Sequence, residues 1–394
     1  LNSQISFLLG AGFSANAGYP VGQKLNEMLI KSGDLNLAFH TSGQLIPPID
    51  GVRQSIGFST SGDFTLTFLI ELIQHYNCQI KPFDYEEFYD FLLLDAESDQ
   101  NVQKLAKSHS NSNDGGTDLI RGSITILNQI VNYLLKDIDG KNNYENAGYF
   151  MKPLFNGYTG FLNCVENLKI DNILHFHTLN HDVYFERLNR TEWFGGELCD
   201  GFEELGSPYY GKLIVESREH MSRLMYYTGK YPSNLRLYKL HGSLDYLMFH
   251  TPEGGSLLPE NYIKHKWGIG YTNLYKEIQG KNGLEYFNDW VNIHPDFLTG
   301  TTSKIERYKE PTLFKRLFEL FKENLKNSDA LIIIGYGGKD IEVNRILTSY
   351  FDFRNKKVKI IDPNPNQKLL ELGKSLNADF IKTNLNDLLN SELN

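Results

Sequence analysis

The chain has 394 residues, 41% of them hydrophobic and 22% charged, and a formal net charge of -9. That length can bury one large core or two moderate ones, and the apolar content excludes a chain that is disordered overall. An acidic balance with no dense Lys/Arg run disfavours nucleic-acid binding by this chain alone.

Three cysteines, Cys78, Cys164 and Cys199, make no C-x-x-C pair and no even framework. This predicts a reducing compartment and argues against a structural zinc. No apolar run approaches the roughly 20 residues that a membrane-spanning helix needs. The expectation is a cytoplasmic protein with no membrane partner.

In chain order, the first element is the apolar run "ISFLLGAG", residues 5–12, which stops at Gly-Ala-Gly and restarts as a helix. From Gln23 to about Asn172 the pattern is mainly helical, with "LTFLIELIQHY" and "ITILNQIVNYLL" separated by the polar stretch 107–118, which reads as an exposed loop. "ILHFHTLNHD" and "LRLYKLHGS" are the next strand-like runs. From Tyr246 to about Pro311 the chain is rich in Gly, Asn, Tyr and Trp and reads as loops with short strands or helices. Beyond it, Leu313, Leu317, Leu320 and Phe321 follow helical spacing, and Asn327 to Asp329 break it. The strand "ALIIIGYGG" follows, Asp340 is placed to cap a further helix, and "KVKIID" is a fifth strand.

Strands buried on both faces read as continuous hydrophobic runs, so this series predicts an α/β fold with an open, Rossmann-like parallel sheet. The predicted core is 1–30, 170–250 and 312–394 of a single domain spanning 1–394. A helical insert of about 31–169 and a loop-rich insert of about 246–311 interrupt it. Ligands of such sheets collect at the carboxyl ends of the strands, where the unusual residues of this chain lie.

Gly10, Ala11 and Gly12 let the backbone approach a pyrophosphate, with Ser14 and Asn16 as further donors at the helix end. A structural tight turn would explain two of the glycines equally. Thr178, Asn180 and Asp182 alternate along a strand end; Asn and Asp there can hold an amide or a ribose, or the alternation marks a solvated face. His241 follows an apolar strand and precedes Gly242 and Ser243. A histidine there is commonly a structural hydrogen-bonding group, yet it is also the side chain best suited to take a proton near neutral pH. Gly335, Gly337 and Gly338 permit close approach of a ligand, and Asp362 could accept from ribose hydroxyls.

Taken as an ordered set, G-A-G-x-S-x-x-A-G-x-P, T-x-N-x-D, L-H-G-S and a late Gly-rich strand end resemble the sirtuin (silent information regulator) family. The resemblance implies a sirtuin-type fold that binds NAD. Gly10, Ala11, Gly12 and Ser14 match the pyrophosphate loop, closed by Pro20. Asn180, after Thr178, matches the asparagine near the nicotinamide ribose, and Asp182 the aspartate that holds the carboxamide. His241, followed by Gly242 and Ser243, matches the catalytic histidine. Gly335 and Asp362 fall where the family contacts the adenosine half, and Gly337 is a further cofactor-binding candidate at the same strand end.

The departures bear on activity. Deacylases of the family carry a four-cysteine zinc module after the catalytic histidine, whereas Cys199 is the last cysteine here, so no zinc is expected. The Phe-Arg that follows the loop proline is replaced by "VGQKL", and Leu179 and His181 stand in the T-L-N-H-D motif. With the G-Y-P loop ending, the helical insert and "PDFLTGTTSK" (residues 295–304), the pattern is similar to the sirtuin-like NAD hydrolases of bacterial antiphage defence. That group implies cleavage of NAD to nicotinamide and ADP-ribose, self-assembly, and a second protein such as a HerA-type hexameric ATPase. A protein deacylase or ADP-ribosyltransferase, and a non-catalytic NAD or ADP-ribose sensor, are the alternative classes.

Overall fold

A central sheet of seven strands carries the fold in the computed structural model, which describes residues 3–54, 57–109, 116–142, 144–145, 152–153, 155–253, 256–266, 269–270, 273–280, 283–287, 295–301 and 303–393. In chain order its strands are β1 Ser3–Leu9, β2 Asn172–Thr178, β3 Leu198–Cys199, β4 Leu235–Lys239, β5 Ala330–Ile334, β6 Lys357–Ile361 and β7 Asp379–Ile381. They lie side by side as β7-β6-β5-β1-β2-β4-β3, and every pairing is parallel. The order reverses between β1 and β5, which makes their carboxyl ends the switch point of an open α/β sheet. The five apolar runs of the sequence are the five inner and near-inner strands. The two edge strands, β3 and β7, are too short to show a pattern.

The chain divides into two compact units. One comprises Leu1–Tyr19, Ile138–Asn292 and Arg307–Asn394; the other comprises Pro20–Asp137 and Ile293–Glu306. In the first, helices Thr159–Leu168, Phe314–Asn327, Ile341–Tyr350 and Gln367–Ser375 accompany the sheet. The helix, strand and helix read from the C-terminal sequence form as expected. Asp340 is the N-cap of Ile341–Tyr350, its Oδ1 accepting from Val343 N at 3.0 Å.

Polar residues inside the sheet are paired, as burial demands. In β2, His175 contacts Gln4 Oε1 at 2.9 Å and the Tyr238 hydroxyl at 3.1 Å. His177 lies 3.1 Å from both Phe7 O and Asn324 Nδ2. Burial, with the Arg236 charge adding to it, holds His175 down to about 3, and burial holds His177 well below the usual histidine range. Both are neutral framework groups.

The stretch after Tyr246 is more regular than its composition suggested. Tyr246–Glu253 and Ser256–Lys264 form an antiparallel pair, and Leu274–Gly280 with Gly283–Phe287 form another. Tyr209–Val215 and Arg218–Arg223 extend the latter to four strands. Tyr209, Leu224, Leu247, Phe249, Ile263 and Leu274 pack into one cluster, so these strands owe their regularity to burying one face. Parts of the expected loop-rich segment lie outside the described residues.

The second unit is helical: Gly22–Ile30, Ser61–His75, Tyr85–Leu94, Gln100–His109 and most of Thr117–Asn142. Thr60 and Asp63 close a capping box on Ser61–His75. Of the polar stretch 107–118, residues 110–115 lie outside the described residues.

Candidate active site

Four loops leave the carboxyl ends of β5, β1, β2 and β4, which are neighbours in that order. They carry His241, Asn180, Asp182, Thr178, Gly10, Ala11, Gly12, Ser14, Gly242, Ser243, Gly335 and Gly337. Pro20 belongs to the second unit, and Asp362 directly follows β6, beyond β5.

The glycines between β1 and β5 hold two backbones together. Gly10 N donates to Ile334 O at 3.0 Å, and Gly12 N to Gly335 O at 2.9 Å. A Cβ on Gly10 would meet Gly335 O at 2.7 Å, and one on Gly12 would meet Gly335 Cα at 2.8 Å. Close packing of the loops therefore requires these residues whatever ligand they meet. The helix expected after the turn is only Ala11–Ser14, followed by a tight turn ending at Gly18, φ 89°. A helix this short sums few peptide dipoles, so an anion here would depend on local amides and side chains more than on a macrodipole. The Tyr158 hydroxyl secures the turn by donating to Phe13 O at 2.5 Å.

Ser14 is buried and faces the β2 loop. Asn180 Nδ2 donates to Gly10 O and to Ser14 Oγ, both at 3.0 Å. Both amide hydrogens of Asn180 are thereby engaged, so the group it can offer a ligand is its acceptor, Oδ1. Thr178 Oγ1 accepts from Asn180 N at 3.1 Å and shapes the turn. Asp182 is buried, and its Oδ1 accepts from Tyr184 N at 3.0 Å. Burial lifts its carboxyl above the ordinary carboxylate range, against the pull of the Lys239 charge.

The β4 loop is tied to the β2 loop: Leu244 N donates to His181 O at 2.9 Å, and the Ser243 hydroxyl to the same oxygen at 3.4 Å. Gly242, φ 80°, makes the bend that follows His241. His241 is 4% exposed, and its ring lies 6.3 Å from that of His181. Its Nε2 stands 3.4 Å from Asp340 Oδ2 and 3.3 Å from the Tyr308 hydroxyl. Further along the sheet, Asp362 Oδ1 accepts from Asn364 N at 2.8 Å, and Gly337 O accepts from Asn366 Nδ2 at 3.0 Å. These two bonds order the β5 and β6 turns rather than joining the Asn180 and His241 group.

Sequence reasoning missed the charges beneath the loops. Lys239, the last residue of β4, is 1% exposed. Its ammonium donates to the carbonyl oxygen of Asp182 and lies 3.2 Å from Glu186 Oε1. Lys264 completes the network through Asp200, Asp245 at 3.7 Å and Glu186 at 4.0 Å. Burial raises Glu186 more than the two lysines lower it. Burial also works against charge on Asp245, but Lys264 and Lys239 hold its carboxyl below the usual range. A lysine ending the apolar run "LRLYK" was the available signal; its partners lie in separate segments.

No protein-family model matches the chain, and no curated protein matches it. Among solved structures, one described as "Structural Basis for the Mechanism and Regulation of Sir2 Enzymes" shares 13% identity and a TM-score of 0.35, covering 99% of this chain and 91% of that one. A Sir2 homologue mutant in complex with 2'-O-acetyl ADP ribose shares 11% identity and a TM-score of 0.38, covering 100% and 91%. A Sir2 homologue in complex with NAD shares 11% and 0.37, covering 100% and 88%. The superpositions are loose, and the α/β assignment stands on the parallel sheet itself.

Proposed function

We propose that this chain binds NAD at the carboxyl ends of β1, β2, β4 and β5 and cleaves it with water to nicotinamide and ADP-ribose. The observation that carries the reading is the direct bonding of the loops: Asn180 to Gly10 and Ser14, and the His241 loop to His181. Gly10, Ser14 and Asn180, and the loops that carry Asp182 and His241, thus meet at the carboxyl ends of neighbouring strands, which supports the reading; Gly337 and Asp362 lie outside that bonded group.

Breaking the bond between nicotinamide and ribose builds positive charge on the sugar as a neutral base leaves. The site must hold the carboxamide, orient the ribose and admit one water. Asn180 Oδ1, an acceptor, suits a ribose hydroxyl or the attacking water. Asp182 can meet a carboxamide in either protonation state, because that group both donates and accepts. His241 takes the proton released when water adds to the sugar, directly or through a ribose hydroxyl. Residues 10–14 grip the pyrophosphate, so binding at that remote part positions the reacting bond. Gly337 and Asp362 face the adenosine half in this reading.

In its cellular setting we read the chain as a cytoplasmic antiphage effector that depletes NAD, assembles with itself, and is released from restraint by a partner such as a HerA-type ATPase. The test is nicotinamide release from NAD, followed by chromatography, with the chain alone and with its operon partner. His241→Ala and Asn180→Ala should each lower turnover by about 10² to 10⁴. Full turnover in either folded variant would sink the assigned roles. Stoichiometric NAD binding without turnover in the complete assembly would select the sensor class instead, and acyl-lysine-dependent release the deacylase class.

A further inference from the structure

Asp340 reads in the sequence only as a helix cap, yet its second oxygen faces the histidine of the site. One carboxylate oxygen, Oδ1, accepts from Val343 N at 3.0 Å and fixes the side chain to the start of Ile341–Tyr350. The other, Oδ2, lies 3.4 Å from His241 Nε2 and accepts from the Tyr308 hydroxyl at 3.5 Å. The same hydroxyl oxygen is 3.3 Å from His241 Nε2. Tyr308 is itself held by ring stacking on Phe318, centroids 3.8 Å apart. His241 and Asp340 side chains are 5% and 7% exposed, so water screens their interaction weakly.

Tyrosine has one hydroxyl proton. If it points to the Asp340 carboxylate, the phenol oxygen can only accept from His241, and the proton of the neutral imidazole then sits on Nε2. The lone pair of the ring falls on Nδ1. We propose that Asp340 is the positioning residue of His241. Together with Tyr308 it holds the proton on Nε2, makes Nδ1 the basic atom, and stabilises the imidazolium formed when Nδ1 takes a proton. The inference rests on the proposed role of His241 as base. Among the described residues, His181 from the β2 loop also faces the ring, at 6.3 Å between centroids; a charge there would oppose protonation of His241, whereas the Asp340 carboxylate favours it.

The variant that separates the two jobs of Asp340 is Asp340→Asn, because asparagine caps a helix as well as aspartate does but carries no charge. Selective ¹⁵N-histidine labelling of the full chain, with His241→Gln to assign the signal, reads both tautomer and titration midpoint without any turnover. Wild type should show His241 protonated on Nε2 when neutral. In Asp340→Asn the midpoint should fall by about one pH unit, and Tyr308→Phe should loosen the tautomer preference. Where nicotinamide release is measurable, the acid limb of its kcat/KM should move to lower pH by the same amount in Asp340→Asn. An unmoved midpoint in a folded Asp340→Asn, or a wild-type proton on Nδ1, overturns the proposal. Wild-type protein that releases no nicotinamide in any assembly overturns the reaction instead, and leaves the histidine titration to decide the pairing.

Discussion

Replacing Lys239 by methionine keeps most of its apolar stem and removes one buried charge. Glu186 then keeps Lys264, at 4.0 Å, in place of a partner at 3.2 Å. It must remain charged at a loss or take a proton. Taking a proton at pH 7 costs at most about 3.7 kcal/mol if its pKa were the ordinary 4.3 or so, and less here, because burial already raises it. The bond from the Lys239 ammonium to the Asp182 carbonyl is lost as well, about 1.5–3 kcal/mol for a charged donor. The sum, about 3–5 kcal/mol, agrees with what breaking a buried ion pair usually costs. For a chain of this length it corresponds to a fall in Tm of about 4–6 °C. Two controls isolate the mechanism. Adding Glu186→Gln should restore at least half of the loss, and lowering the pH from 7 to 5 should narrow the gap as Glu186 takes up its proton. Differential scanning calorimetry at both pH values reads all of this. A Lys239→Met protein melting within about 1 °C of wild type, or a double variant no better than the single one, would refute a structural charge pair beneath the site.

Other consequences follow from the same geometry. Because the folded state holds His175 and His177 neutral while the unfolded chain protonates them near pH 6.5, their stabilising contribution is complete above that pH and is lost as pH falls toward the folded values. The loss amounts to up to about 1.4 kcal/mol per histidine per pH unit, and urea midpoints at pH 7, 6 and 5 should show a slope that His175→Gln reduces; equal midpoints across the range contradict it. Gly335→Ala places a Cβ against the Gly12 and Phe13 backbone at φ +60° and should cost about 1–3 kcal/mol from the backbone conformation alone, with nicotinamide release lost as the two loops part. Gly22→Ala, where an added Cβ meets nothing within 4 Å, should leave Tm unchanged or higher; if both alanine variants melt alike, loop packing is not what Gly335 serves.

The sheet was legible because strands buried on both faces are dominated by apolar residues: β5 is apolar throughout, and β1, β2, β4 and β6 keep an apolar or β-branched majority around residues such as His175, His177 and Lys359. Leu198–Cys199 and Asp379–Ile381 were not legible, since two or three residues at an edge cannot show periodicity. The paired strands after Tyr246 were hidden for another reason. Their regularity comes from one shared buried cluster, whose members Tyr209 and Leu224 lie well before the segment they stabilise, so no local window contains the signal. The partners of Lys239 escaped in the same way.

The motif residues show where reading from sequence meets its physical limit. Gly10, Gly12 and Gly335 are explained by two backbones in contact, Ser14 by its bond to Asn180, and Thr178 by the turn it shapes. A loop cluster must first bind itself before it can present groups to a ligand, and short polar motifs encode both tasks in the same letters. What distinguishes the tasks is which atoms the protein has already engaged. Asn180 has both amide hydrogens committed to protein acceptors, so its chemistry toward a ligand is reduced to one acceptor oxygen. Asp340 is committed through one oxygen to a helix and through the other to His241 and Tyr308. A residue that the sequence marks only as a cap thus faces Nε2 of His241, the ring nitrogen opposite the proposed basic atom, and its asparagine variant separates the cap from the charge.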